Sequence, residues 1–348
     1  MKKVLTGMSG GVDSSVCALL LKNAGYDVSG VNLIMHRNSS GGCGSEEELA
    51  TAKEVSEKAG ISFYAFDFSE KFSKDVIDYF VKTYMSGATP NPCVVCNRRL
   101  KFGALLDKAD EMGFDFIATG HYARIEESGG RFLLRKGKDI SKDQSYVLYG
   151  LSQKQLSRTL FPLGEYLKSE IRLIAEENGL INAHKHDSQD ICFIPDGDYP
   201  SFIEEYTGKK FADGDFVTTD GRKLGTHKGI IRYTVGQRKG LGLALPAPMY
   251  VFEKDMINNR VILSDENMLF SNSLDANNLN FVPFDTIERP LRVKAKVRYS
   301  QKESYATVEQ TDSDRIHVEF ETPQRAICKG QSVVFYDDDY VIGGGTIV

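Results

Sequence analysis

The stretch Val4-Leu5-Thr6-Gly7-Met8-Ser9-Gly10-Gly11-Val12-Asp13-Ser14-Ser15 decides the fold. Val4 to Met8 is apolar enough for a buried strand, two glycines follow, and from about Ser14 to Ala24 the residues run at helical spacing to a stop at Gly25. A turn between a strand and a helix leaves backbone N–H groups unpaired at the positive end of the helix dipole, which is a ready anion site. Gly10 and Gly11 let the backbone curl around a phosphate, Ser9, Ser14 and Ser15 add hydroxyl donors, and Asp13 is placed to help hold the magnesium ion of a triphosphate. Neither Gly-x-x-x-x-Gly-Lys nor Gly-x-Gly-x-x-Gly is present, so γ-phosphate transfer by a Walker loop and dinucleotide binding are not the natural readings. A plain Gly-rich turn is the competing reading, and two glycines alone do not separate the two.

Outward from this stretch the alternation continues. Val28 to Met35 is strand-like, Ser45-x-x-Glu48 is a capping box opening a helix that Gly60 closes, and Ile61 to Phe68 is again a strand. Phe72, Val76, Ile77, Phe80, Val81 and Tyr84 fall at helical spacing, a further helix follows Arg99, and Phe114 to Thr119 is a strand ending at Gly120-His121. The expected fold is α/β, a doubly wound parallel sheet, over residues 1–196. Its later part holds a hairpin at Ser128-Gly129-Gly130 and a helix from about Glu165 to Asn178. Residues 197–276, rich in glycine and turns, predict a small central module; 277–348 alternate apolar and polar residues in short runs and predict an antiparallel β-barrel.

A chain of 348 residues with 41% hydrophobic and 26% charged residues has the make-up of a globular protein of several domains. No apolar run approaches the ~20 residues of a membrane span, and Met1-Lys2-Lys3 leads straight into the first strand. A cytoplasmic protein with no membrane partner is expected. Six cysteines, Cys17, Cys43, Cys93, Cys96, Cys192 and Cys328, are too sparse for a disulfide scaffold, so a special cysteine would be catalytic or metal-bound.

Two places carry thiols in a distinctive setting. Thr89-Pro90-Asn91-Pro92-Cys93-Val94-Val95-Cys96-Asn97-Arg98-Arg99 reads as a loop stiffened by two prolines and leading into a helix, whose N-terminus with Arg98 and Arg99 should depress the thiol pKa values. Asp190-Ile191-Cys192-Phe193 holds another thiol. A structural zinc site would want a second close pair, and a thioredoxin-like dithiol would want its usual fold. His184 and His186 read as surface residues. Residues 289–302 hold six basic residues and no acid; strand alternation puts Leu291, Val293, Ala295 and Val297 on one face and Arg292, Lys294, Lys296 and Arg298 on the other, a basic ribbon beside Tyr299 that suits phosphate contacts and base stacking.

The glycine loop resembles the PP-loop of the ATP pyrophosphatase superfamily, whose members release pyrophosphate. Together with Pro90 to Lys101, Ala118 to Tyr122, Lys142 to Ser145, Asp190 to Ile194, Tyr233 to Arg238 and Gly343 to Gly345, it makes the chain resemble, nearly end to end, the tRNA-specific 2-thiouridylase family. By position, the resemblance implies that Gly7, Met8, Ser9, Gly10, Gly11, Val12, Asp13, Ser14, Leu33 and Gly120 contact ATP. Cys96 would be the catalytic nucleophile and Cys192 the persulfide carrier. Asn91, Pro92 and Cys93 would face the target base, with His121, Lys142, Asp143, Gln144, Arg298, Tyr299 and Gln331 touching tRNA. Many members carry an Asp where this chain has Cys93, the residue assigned to proton transfer.

What the resemblance implies is chemically coherent. The C2 oxygen of a uridine is a poor leaving group until ATP adenylates it, releasing pyrophosphate; sulfur can then attack C2 and AMP departs. A persulfide on Cys192 supplies that sulfur, and attack by Cys96 on the inner sulfur leaves a Cys96–Cys192 disulfide. Such a route needs ATP, Mg2+, tRNA, a persulfide-donating carrier or cysteine desulfurase, and an external reductant. Cys93, Cys96 and Cys192 offer a second route, as three ligands of an iron-sulfur cluster with one iron open to sulfide. Other PP-loop adenylating ligases or tRNA-modifying enzymes share the loop but need no thiol pair, and an RNA-binding module with a nucleotide-sensing domain would release no pyrophosphate.

Overall fold

In the computed structural model, residues 1–36, 45–183 and 191–348 are described, so Cys43, His184, His186 and Asp190 lie outside the described residues. The N-terminal strands are β1 (Lys3–Gly7), β2 (Asp27–Ile34), β3 (Ser62–Asp67), β4 (Phe116–Ala118) and, beyond a hairpin of β5 (Ala123–Ser128) and β6 (Arg131–Lys136), β7 (Thr159–Leu160). They pair in the order β3-β2-β1-β4-β7, all parallel.

Alternation along β1 sends Val4 and Leu5 to opposite faces. Val4 packs with α1 (Val12–Asn23), α2 (Glu46–Ala59) and the later helix Lys168–Glu177; Leu5 packs with Phe102, Leu105 and Leu106 of the helical run over 92–111. Both faces are covered, as a doubly wound sheet requires. The α2 boundaries follow the sequence signals: Ser45 Oγ accepts from Glu48 N at 3.3 Å, and Gly60 takes the left-handed cap at φ 60°. Strand order reverses between β1 and β4, and the crevice beyond the carboxyl ends of those two strands is where such sheets bind ligands.

The central module contributes the helix Tyr199–Thr207 and the strands β8 (Gly214–Thr218), β9 (Lys223–His227), β10 (Tyr250–Asp255) and β11 (Arg260–Ser264), ordered β10-β11-β8-β9. Its core is continuous with that of the first domain: Phe216, Val251, Val261 and Leu263 share one apolar cluster with Phe72, Phe80, Tyr84 and Phe193.

The last six strands are β12 (Phe270–Phe281), β13 (Leu291–Lys296), β14 (Ser304–Asp312), β15 (Arg315–Arg325), β16 (Ser332–Asp337) and β17 (Tyr340–Ile347). All pairings among them are antiparallel, and β12 pairs with both β15 and β17, which closes a barrel. Val293, Ala295 and Val297 point into its core as alternation requires. The β5–β6 hairpin, which the sequence places in the first domain, adds to this sheet instead: Arg135 pairs with Tyr340 of β17, and Arg124 and Arg135 both donate to Asp339 at 2.7 Å. Among the described residues, no helix is long and apolar enough to cross a membrane.

Candidate active site

Gly7 ends β1 and Val12 begins α1, so the loop between them lies in the crevice. α1 starts without a side-chain cap: Gly11 stands at the cap position, which leaves the first N–H groups available to an anion. Inside the loop, Ser9 N donates to Ser14 Oγ at 3.2 Å, while Ser14 Oγ and Ser15 Oγ donate to Gly11 O at 3.0 and 3.1 Å. Gly10 has φ 72°, and a Cβ there would lie 2.8 Å from Glu48 O of α2. Gly120, just past β4, is pressed onto the same loop, since a Cβ would stand 2.9 Å from Asp13 C and 3.0 Å from Ser14 N. Leu33, near the end of β2, is partly buried between the apolar cluster on the Leu5 face of the sheet and the cluster shared with the central module. The structure thus places residues 7–14 and Gly120 together at this crevice.

Three residues missed by sequence reading complete the loop's surroundings. Lys168 Nζ bonds to both carboxylate oxygens of Asp13, at 2.7 and 2.8 Å, and Tyr122 Oη donates to Asp13 Oδ1 at 2.8 Å. Asn182 Nδ2 donates to Gly10 O at 3.0 Å and Ser15 Oγ at 2.9 Å. Lys168 and Asn182 are buried at 7% and 5% exposure, and they lie more than 150 residues from the loop, so no local pattern announces them. Both carboxylate oxygens of Asp13 are engaged by the Lys168 ammonium, and Oδ1 by Tyr122 Oη as well, so this arrangement neutralises Asp13 and does not present it as a ready ligand for a hard cation. Cys17, on the first turns of α1, is an inert core thiol: burial first, then Asp13, pushes its pKa far up.

The cysteine segment is helical earlier than expected. Asn91 caps a short helix, Pro92–Cys96, its Oδ1 accepting from Val94 N at 3.4 Å, and Pro92 takes the first position, where a missing N–H costs nothing. The helix widens to a π-helix over Asn97–Ala104, an arrangement common at functional sites. Cys93 is exposed, whereas Cys96, one turn on, is buried and faces inward. Cys96 and Cys192 pack in the same apolar cluster at the junction of the first domain and the central module. Phe193 anchors Cys192 there, with its ring edge-on to Phe72 at 5.5 Å and to Phe80 at 5.3 Å. None of the described cysteines forms a disulfide. Arg99, expected to act on the thiols, is ion-paired with Asp75 at 3.3 Å.

The residues expected at tRNA divide in two. Tyr299 is exposed, with Lys296 over its ring at 5.8 Å and its Oη donating to Asp143 O at 3.0 Å. Lys142 is half-buried. The others point inward. His121 is buried, bonded through Nδ1 to Thr119 Oγ1 at 2.7 Å, and burial followed by Lys101 holds its pKa well below the usual value, so the ring is neutral. Asp143 accepts from Gly137 N and from Ser145, and Gln144 Oε1 accepts from Tyr122 N. Arg298 and Gln331 donate to backbone carbonyls.

Comparison with known proteins matches these parts to three family models: the tRNA methyl transferase HUP domain over residues 2–196, the tRNA methyl transferase PRC-barrel domain over 200–265, and the aminomethyltransferase beta-barrel domain over 271–347. The tRNA-specific 2-thiouridylase MnmA 2 of Clostridium botulinum (strain Okra / Type B1) is 51% identical over 352 residues, covering 99% of both chains. The chain belongs to the tRNA-specific 2-thiouridylase family. The MnmA proteins of Clostridioides difficile and Clostridium acetobutylicum are similar at 50% and 49% identity, each over 99% of this chain and at least 98% of their own.

Membership of the 2-thiouridylase family gives the two cysteines in the shared cluster their interest. The three-thiol ligand set does not form. Among the described residues, no group of three or more His, Cys, Asp or Glu side chains is placed to hold a metal ion. Cys93 lies exposed at the surface while Cys96 is buried in the apolar cluster.

Proposed function

We propose that this chain is an ATP-dependent tRNA-uridine 2-sulfurtransferase that adenylates the C2 oxygen of the wobble uridine and replaces it with sulfur. The residues gathered round the loop Gly7 to Ser14 carry the first half. The uncapped start of α1 and the hydroxyls of Ser9, Ser14 and Ser15 bind the triphosphate, with Gly120 and Leu33 beside them. Lys168 supplies a buried positive charge held in place by Asp13, suited to the charge that builds on the phosphates as pyrophosphate leaves. Mg2+ would accompany the triphosphate as its counter-ion.

The presence of Cys96 and Cys192 in one apolar cluster at the junction of the first domain and the central module supports the second half and favours thiolation over a ligase with the same loop. The terminal sulfur of a Cys192 persulfide attacks C2, the C2–O bond breaks and AMP leaves. The Cys96 thiolate attacks Cys192 Sγ, which breaks the S–S bond, frees the sulfur to the base and forms the Cys96–Cys192 disulfide. A reductant returns both thiols, and a persulfide-donating carrier or cysteine desulfurase reloads Cys192. Asn91, Pro92 and Cys93 flank the base, and Tyr299, Lys142 and the barrel's basic strand face the RNA, while His121, Asp143, Gln144, Arg298 and Gln331 shape that surface. The working division is 1–196 for catalysis, 197–276 as the central module and 277–348 as the barrel, in the cytoplasm. The persulfide route is tested by Cys93→Asp in anaerobically purified protein. It should keep substantial thiolation without iron; loss of bound iron together with activity would establish the cluster route instead.

A further inference from the structure

The segment before the cysteine helix cannot hold itself. Pro90 and Pro92 have no N–H to give to a ladder, and the helical run over 92–111 opens on a cap bond of only 3.4 Å, which leaves the carbonyls of Thr89 and Pro90 to find partners elsewhere. The barrel supplies what is missing. Gln331 Nε2 donates to Thr89 O and Pro90 O, both at 3.0 Å, so each of its two N–H groups takes one carbonyl. Thr89 N donates in turn to Lys329 O at 2.8 Å. Gly330, at φ 87°, allows this approach, since a Cβ would meet Thr89 O at 2.9 Å and Thr83 Cγ2 at 3.0 Å.

The turn that makes this clamp is itself anchored. Arg298 Nη2 donates to Ala326 O at 2.9 Å and to Val235 O at 3.0 Å, and lies 2.7 Å from Cys328 Sγ. One guanidinium therefore joins the barrel to the central module three residues ahead of Lys329. Tyr299 Oη ties the same end of the barrel to the first domain by donating to Asp143 O at 3.0 Å.

We propose that Gln331 is a positioning residue, whose carboxamide fixes the Thr89–Pro90 strap and through it the placement of Cys93 and Cys96 against the target base. The proposal rests on the thiolation reading for its kinetic consequence but not for its geometric one. Because the clamp sits at the junction of all three units, RNA held by the barrel bears on the cysteines through residues 326–331.

The test compares wild type with Gln331→Ala and Gln331→Lys, the latter keeping a donor for the two carbonyls. Two quantities are read: tRNA affinity against kcat for thiolation at saturating tRNA, and the rate at which iodoacetamide labels each cysteine without tRNA or ATP, followed by peptide mass spectrometry. In Gln331→Ala, kcat should fall by about tenfold to a hundredfold, as misplacement of a catalytic group does, with tRNA affinity little changed. Cys96 should label several-fold faster while the buried Cys17 stays protected, and Gln331→Lys should restore both values. Weakened tRNA binding with kcat and Cys96 labelling unchanged would make Gln331 a plain RNA contact and overturn the proposal. Labelling of Cys17 together with Cys96 would show loss of the whole fold and equally contradict a local role. A wild type that does not thiolate tRNA would sink the proposed function but leave the labelling comparison intact.

Discussion

Lys168 is held by a carboxylate on the very loop proposed to bind ATP, and its charge is almost wholly screened from water. Exchanging it for methionine keeps the bulk and removes the charge. Pyrophosphate release should fall by about 10²-fold, the scale for losing one preorganised donor, with tRNA binding kept. The lone Asp13 left behind should cost about 2 kcal/mol in a urea unfolding series. Unchanged turnover in Lys168→Met would leave Asp13 as the group that matters. His121 gives a pH signature. Its folded pKa lies well below that of the unfolded chain, so below about pH 6.5 the unfolded state binds more protons and stability is lost as pH falls, by up to about 1.4 kcal/mol per unit. A urea midpoint that drops between pH 7.5 and 5.5 in wild type, and drops less in His121→Gln, is the expected outcome. The glycines, serines and Asp13 were legible in the sequence because they are contiguous, whereas Lys168, Tyr122 and Asn182 reach the loop only through the fold.

Gly120 shows how one element constrains another. It stands past the end of β4, and its missing side chain is the space into which Asp13 and Ser14 fit. Gly120→Ala should therefore push the loop at the start of α1, raising KM for ATP about tenfold for a misplacement of a few tenths of an ångström, with tRNA affinity unaltered. An unchanged KM would show that the loop gives way freely. Gly344 of β17 has the same character on the barrel, where a Cβ would stand 2.3 Å from Val333 O and 2.9 Å from the Tyr149 ring. Gly344→Ala should cost about 1 to 3 kcal/mol by overpacking, read as a lower melting temperature. The closing run Gly343-Gly344-Gly345 thus marks close approach between β17, β12, β16 and Tyr149, which spacing in the sequence cannot show. The cysteine segment is the opposite case: its prolines were visible, but the helix start at Pro92 and the inward turn of Cys96 depend on Asn91 as cap and on the apolar cluster beneath.

Across the molecule, charge is less one-sided than the basic run 289–302 suggests. Arg292 is paired with Glu321 at 2.7 Å, Lys296 is half-buried and loses charge affinity through that burial, and Lys294 faces the highly exposed Asp338 at 3.5 Å. Lys294 is thus the side chain of this strand best placed to trade its weak partner for a phosphate. Lys294→Glu should weaken tRNA binding and reduce the slope of log affinity against log salt by about 1; an unchanged slope would put the RNA on another face. Three units were legible from texture alone, but their joints were not, because the β5–β6 hairpin reveals its place only by pairing with β17. Thiolation itself is most directly tested on the purified chain, supplied with tRNA, ATP, Mg2+ and a persulfide donor, by nucleoside mass spectrometry of the digested tRNA. The expected result is 2-thiouridine at the wobble position, formed only with ATP and absent in both Cys96→Ser and Cys192→Ser. Thiolated uridine that still forms in Cys192→Ser, or none with the intact chain, would contradict it.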